Sequence, residues 1–424
     1  MKFTGLWKHP DFMKLWTGQT LSMFGAQITT LALPLIAALM LNVNAVQMGM
    51  LTAIGYLPYI LFSLFVGVWV DQLRRRPIMI LTDVIRGVGL LVIPYAAWEG
   101  FLTFELLCTI SFLVGTASVF FDIAYMSYLP SIVKTEELVE GNSKLEFSNS
   151  ASQISGQAIG GALVQLLTAP VAILINGITF FISAFTLIII KRKEDKPSLP
   201  EEKEDNNVFQ NIRDGLKFVF GNTILARITV ATGLFNLFGL AMEAIYILYV
   251  TRELSLSPFM LGLIFTMSGV GAMAGAAVAG KVAEKLSLGK TLVLSLALAG
   301  VFYLLVPLSS LLSVTLAIIV LMVSQFVDAA MIVIYNINQR SLRTAITPDH
   351  LQGRMNASLR FIIFGSIPVG AMLGGFLGDA IGTQWTLVVG AAGMLISSGV
   401  ILTSSVAKLD KIPEAPAAAA EQAS

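Results

Sequence analysis

Two carboxylates stand where carboxylates rarely do. Glu243 lies in the apolar run GLFNLFGLAMEAIYILYV, and Asp328 lies in LAIIVLMVSQFVDAAMIVIY. A charge at the centre of a bilayer-crossing helix costs about 2.5–3.5 kcal/mol on insertion scales, so each acid needs a reason to be there. Asn236 falls seven positions before Glu243, on the same helix face, and Gln325 falls one turn before Asp328. The chemistry open to such acids is the uptake and release of protons. The alternative is a static hydrogen bond to a neighbouring helix. Gln27 and Thr30 add polar groups from the first apolar segment.

Other chemistries find little support. Cys108, His9 and His350 make a poor metal-ligand set, and no cofactor is expected. Leu288-Gly289-Lys290-Thr291 looks like the end of a phosphate-binding loop, but Glu284 stands where its first glycine belongs. Asn356-Ala357-Ser358 matches a glycosylation sequon in a stretch expected to face the cytoplasm. No arrangement of nucleophile and base points to an enzyme.

The elements that must carry these residues follow from composition. Of 424 residues, 56% are hydrophobic and 12% charged, against about 25% charged in soluble domains; the mean hydropathy is +0.80. A span needs about 20 mostly apolar residues, and segments of that kind fall near 12–40, 46–70, 77–98, 102–127, 144–168 and 170–190. A second set falls near 222–250, 257–280, 290–308, 313–335, 354–381 and 384–406. This predicts an all-α polytopic membrane protein with twelve transmembrane helices, and it excludes a soluble enzyme, a nucleic-acid binder and a secreted module. The N-terminus MKFTGLWKHPDF lacks the pattern of a cleaved leader, so the first apolar segment is expected to stay as a span.

Basic residues set the orientation. With a cytoplasmic N-terminus, the arginine run 74–76, the 191–193 cluster, Lys281, Lys285, Lys290, Arg340 and Arg343 all face inward, and Arg252 alone faces outward. Both termini are therefore expected in the cytoplasm, with the chain multi-pass in a bacterial-type inner membrane. Residues 191–221 read as a charge-rich linker that ends in an amphipathic helix at the inner membrane surface, with Val208, Ile212, Leu216 and Val219 at helical spacing. Residues 407–424 read as a disordered tail.

The linker separates two six-span halves, 1–190 and 222–406, and they repeat one another. Gly67-x-x-x-Asp71 is echoed by Gly280-x-x-x-Glu284, Asn142 by Asn356, and Gly160-Gly161 by Gly374-Gly375, each displaced by 213 or 214 positions. A parallel duplication explains this, and the glycines suit helices that approach closely. Their concentration suggests a seam between halves at Gly156, Gly160, Gly161, Gly374 and Gly375, with Glu146 and Arg360 at repeat-equivalent positions beside it.

Gly67-Val-Trp-Val-Asp71-Gln-Leu-Arg74-Arg75-Arg76-Pro77 resembles the loop between the second and third helices of the major facilitator superfamily, departing at Gln72 and Arg74. Gly156-Gln-Ala-Ile-Gly160-Gly161 resembles the fifth-helix motif of drug antiporters, with Gln157 in place of proline. Asp83-x-x-Arg86 and the stretch Pro130, Leu138, Asn142 look like the branch containing macrolide-efflux and enterobactin-exporter-type proteins. The fourth span lacks the embedded arginine of many drug antiporters.

The resemblance implies two pseudo-symmetric bundles around a central cavity, working by alternating access, usually as a monomer. It makes Glu243 and Asp328 proton-coupling groups, and puts Gln27, Thr30, Asn236, Phe235, Tyr246 and Gln325 at the substrate. It places Gly67, Asp71, Arg75, Arg76, Asp122 and Glu284 at a cytoplasmic gate, with Asp122 in reach of Arg75 or Arg76. Asp83 and Arg86 read as a self-neutralising pair. The implied function is proton-driven export of amphipathic cationic or neutral small molecules. Alternatives are a siderophore or lysophospholipid carrier, an uptake symporter, or a non-transporting sensor. The expected partners are substrate, protons and lipid, with no nucleic acid.

Overall fold

In the computed structural model, residues 5–192, 194 and 208–413 are described. The long helices are α1 (Pro10–Leu35), α2 (Ala45–Gln72), α3 (Arg75–Trp98), α4 (Phe104–Met126), α5 (Leu138–Leu166), α6 (Ala169–Ile188) and α7 (Val208–Gly221). They continue as α8 (Thr223–Leu248), α9 (Pro258–Leu286), α10 (Leu288–Tyr303), α11 (Val314–Ile346), α12 (Asp349–Ile381) and α13 (Thr383–Leu402). The described residues contain no strand.

Local chemistry sets the boundaries. The Asn44 side chain accepts from Gln47 N–H at 2.8 Å while Gln47 accepts from Asn44 N–H at 3.0 Å, a reciprocal cap that starts α2. Thr103 caps α4 and Asn222 caps α8 in the same sense. Gly382, at φ +84°, makes the break between α12 and α13 that a side chain would strain.

Among the described residues, ten helical stretches are long and apolar enough to cross a membrane; Gly365–Ile381 is a shorter apolar one. The α5 helix does not meet that standard, because Glu140, Lys144, Glu146 and a run of serine, asparagine and glutamine interrupt it. The chain divides into two compact units, Met1–Glu202 with Val250–Thr266, and Lys203–Tyr249 with Met267–Ser424. In the first, α1 packs on α5 and α6, α3 on α4 and α6, and α2 on α4. In the second, α8 packs on α12 and α13, and α10 on α11 and α13. The α9–α11 crossing there is backbone-close at Gly271 against Phe326 and Gly275 against Ala330. The helix pairings of the N-terminal half thus recur in the C-terminal half, the pattern a duplication would leave.

Two peripheral segments differ from expectation. The amphipathic α7 packs against α12, with Val219 in a small core of Leu225, Met355 and Leu359 and Asp214 3.7 Å from Arg354. A protein face therefore takes Val219, the end of the apolar stripe assigned to the membrane surface, while the side chains of Val208 and Ile212 lie outside the described residues. The tail is ordered at its start: Ser405–Lys408 forms a helical turn, and Leu409 and Asp410 carbonyls accept from Gly289 and Leu288 N–H at 2.8 and 3.1 Å. Those are the orphan donors at the start of α10, so the tail covers the segment that mimics a phosphate loop. Residues 195–207 and 414–424, including the rest of the linker and tail, lie outside the described residues.

Candidate functional site

The second unit gathers its polar groups around α11. Asp328 is buried, at 8% exposure, and its Oδ1 has no hydrogen-bond partner among the described residues. Glu243, from α8, is exposed and lies within electrostatic reach of Asp328. Gln325 lies against the phenol groups of Tyr246 and Tyr303, one turn before Asp328 on its own helix. The structure thus brings together Glu243, Tyr246, Gln325 and Asp328 from the sequence-predicted set. It adds Tyr303 at the end of α10, which shows in the sequence only as a phenol closing a largely apolar helix. Two turns along, Thr232 and Tyr335 hydroxyls meet at 2.8 Å and tie α8 to α11. Phe235 is buried, and Asn236 half-buried, on the same helix.

The first unit has its own polar centre. Asp83 and Arg86 form a buried ion pair one turn apart on α3. The Arg86 guanidinium sits between two rings, 3.9 Å from the Phe121 centroid and 4.2 Å from that of Phe180, a strong arrangement for a desolvated cation. Ser183 links Asp83 to Gln19, whose Nε2 lies 3.0 Å from the serine oxygen. Asp122 accepts from Tyr59 OH at 2.9 Å and faces the same guanidinium. Two helices, α3 and α4, therefore contribute one cation and two carboxylates. The aromatic clamp and Tyr59 are separated from Arg86 by tens of residues, beyond any local periodicity.

The expected gate is distributed differently. Asp122 pairs with Tyr59, and Arg75 and Arg76 are engaged elsewhere. Glu194 accepts from Arg75 N–H at 2.9 Å and Arg76 N–H at 3.1 Å, with the Arg75 guanidinium at 3.4 Å. Arg76 donates to the Leu187 and Ile188 carbonyls at 2.9 and 2.6 Å, closing the end of α6. Local anions and carbonyls engage both arginines, whereas Asp122 takes Tyr59. Gly67 faces open space, and Glu284 is exposed on α9. The side chains of Asp71 and Arg360 lie outside the described residues.

The glycines divide as well. An added Cβ at Gly156 would meet Gln27 Cβ at 2.6 Å and one at Gly160 would meet Ile28 Cα at 3.1 Å, so both pack α5 on α1 within one unit. Gly374 packs on the Ala241 backbone of α8, and Gly375 is buried. Gly161 meets α9, against Pro258, Phe259 and Gly262. Gln27 Oε1 accepts from Gln157 at 3.3 Å, Thr30 bonds back to the Ala26 carbonyl, and Glu146 takes Asn149 at 3.3 Å.

Comparison with known proteins sets these clusters in context. A family profile described as "Transmembrane secretion effector" matches residues 4–423. The chain is 25% identical over 390 residues to the multidrug efflux pump Tap of Mycolicibacterium fortuitum, covering 88% of this chain and 90% of that one. It is 22% identical over 237 residues to macrolide efflux protein A of Streptococcus pyogenes, covering 55% and 57%. Among solved structures, a bacterial homologue of the iron transporter ferroportin, in its inward-facing state, superposes with a TM-score of 0.75 at 17% identity. That match covers 92% of this chain and 98% of the other, and it shows a shared fold.

Proposed function

The chain belongs to the transmembrane secretion effector family of major facilitator transporters, and from that premise we propose that it exports amphipathic cationic or neutral small molecules in exchange for protons. The observation that carries this reading is Asp328, a buried carboxyl with one oxygen unpartnered among the described residues, set beside the exposed Glu243. A buried carboxylate needs a proton or another positive partner. A proton and an organic cation then compete for the same acids, so loading one expels the other. That competition is the coupling an antiporter needs.

Substrate charge follows from what the helices carry. Between Ile228 and Leu248, and between Val314 and Gln339, there is no lysine or arginine. Two acids without a nearby base favour cationic or neutral ligands over anionic ones. Tyr246 and Tyr303 supply rings for cation–π contact. The likeness to efflux proteins supports export as the direction. By the basic-residue distribution, both termini face the cytoplasm of a bacterial-type inner membrane, and a monomer with twelve spans does the work by alternating access.

The test is proton release on ligand binding. Purified protein in weakly buffered detergent solution is titrated with tetraphenylphosphonium while pH is followed. Wild type is expected to release protons in proportion to ligand bound, and Asp328→Asn or Glu243→Gln to release fewer. Binding by wild type with no proton release contradicts the proposal.

A further inference from the structure

A groove of about 720 Å³ opens where the first turns of α3 meet the end of α6, and its lining includes Arg74, Arg76, Glu194, Ile80, Leu81, Val84 and Ile188. We propose that this groove binds one anionic phospholipid of the inner leaflet, its headgroup phosphate on Arg74 and Arg76 and an acyl chain along the apolar stripe.

The arrangement follows the anatomy of a lipid. Val84 lies three positions after Leu81 and four after Ile80, so it shares with both a side of α3 that descends from the arginines. The ten positions from Arg74 to Val84 rise about 15 Å, which is the depth of one leaflet's hydrocarbon. Leu81, Val84 and Ile188 are exposed, so the stripe is open along its length. Basic residues mark this end of the helix as cytoplasmic, where anionic lipid attracts them.

Charge selects the headgroup. Arg74, Arg75 and Arg76 stand against one described carboxylate, Glu194. Glu194 already occupies the Arg75 and Arg76 amides and the Arg75 guanidinium. Arg74 is exposed and makes no hydrogen bond or ion pair among the described residues. The cationic surplus therefore rests at the mouth of the apolar stripe. A soluble phosphate would use the arginines and leave the stripe empty; a zwitterionic lipid would use the stripe and bring its own cation to the arginines. A singly anionic phospholipid uses both.

The experiment counts lipids retained on the purified full-length protein by native mass spectrometry, during titration with phosphatidylglycerol or phosphatidylcholine of the same acyl chains. Wild type is expected to prefer phosphatidylglycerol. Arg74→Gln should reduce that preference about fivefold, the worth of one basic residue at a membrane surface. Lys290→Gln, the same charge change at the start of α10, should leave it unchanged. Val84→Trp, which fills the stripe, should weaken both lipids and keeps the test decisive should the arginine variant not fold. Equal retention of the two lipids by wild type overturns the proposal. So does an unaltered preference in Arg74→Gln, insensitivity to Val84→Trp, or displacement of phosphatidylglycerol by inorganic phosphate alone.

Discussion

Replacing Gly161 by alanine tests the tightest backbone crossing of α5 with α9. The added Cβ would lie 2.5 Å from the Pro258 carbonyl oxygen, 3.1 Å from Gly262 Cα and 3.2 Å from Phe259 Cα. Gly262 sees the mirror image, 2.5 Å from the Gln157 oxygen and 3.1 Å from Gly161 Cα. Every one of these neighbours is backbone, so no side chain can swing aside. Ordinary contact begins at 3.4 Å, so the helices must part by about 1 Å. Overpacking of this kind costs about 1–3 kcal/mol, or roughly a five- to 150-fold change in an equilibrium. If the crossing persists through the transport cycle, the cost appears as a lower melting temperature in detergent. If it exists in one conformation only, the cost appears as altered transport at unchanged melting. Gly262→Ala should match Gly161→Ala, and the double variant should cost less than the two singles combined, because the first separation relieves the second clash. Gly280→Ala, on the same α9 but facing open space, should be neutral or slightly stabilising. Wild-type behaviour of both Gly161→Ala and Gly262→Ala, or equal damage from Gly280→Ala, refutes the reasoning.

Arg86→Leu leaves Asp83 buried and unpaired, which should cost about 3–5 kcal/mol in unfolding experiments; adding Asp83→Asn should recover most of it, and a single variant as stable as wild type would deny the pair its role. Arg252 donates to the Ala38 and Val43 carbonyls at 3.2 and 2.8 Å, fastening the turn that follows α1; Arg252→Ala should make the 40–44 connection more sensitive to protease by about tenfold, and an unchanged cleavage rate counts against that clasp. Glu140 accepts from Leu6 N–H at 3.1 Å and pairs with Lys144 at 3.2 Å, and these partners hold its carboxyl below the ordinary value of 4.5. A group whose folded pKa is depressed contributes stability above its unfolded value and loses it as pH falls through the folded one. Protection of the Gly5–Lys8 turn from protease should therefore be full at neutral pH and fade below about pH 4.5, whereas Glu140→Gln should lack protection at both; pH-independent protection would show that the ion pair is idle.

Much of the architecture is written in composition and period. Long apolar runs must be helices in a bilayer, and the repeated offset between Gly67 and Gly280 or Asn142 and Asn356 reflects the repeated helix pairings. The one-turn spacing of Asp83 and Arg86 is enough to predict their pair, since residues three apart share a helix face. What distance along the chain hides is partnership between helices. Phe121 and Phe180 look like any lipid-facing rings until α3, α4 and α6 meet around Arg86. Asp122 appeared free to join the arginine run, yet Glu194 supplies a nearer anion and Tyr59 a nearer donor. Glycines misled in the same way: Gly156 and Gly161 belong to one motif, but five residues rotate the helix enough that one faces α1 and the other α9. The α7 helix shows the amphipathic pattern plainly, while the pattern alone does not distinguish lipid from the α12 surface it covers.

The central claim is that protons and cationic ligands exchange through Asp328 and Glu243. The most direct measurement is cationic-dye movement in proteoliposomes under an imposed pH gradient, for wild type, Asp328→Asn and Glu243→Gln. The account predicts gradient-driven accumulation by wild type, reversing when the gradient reverses, and its loss in at least one variant. Gradient-driven transport equal in all three proteins would contradict it.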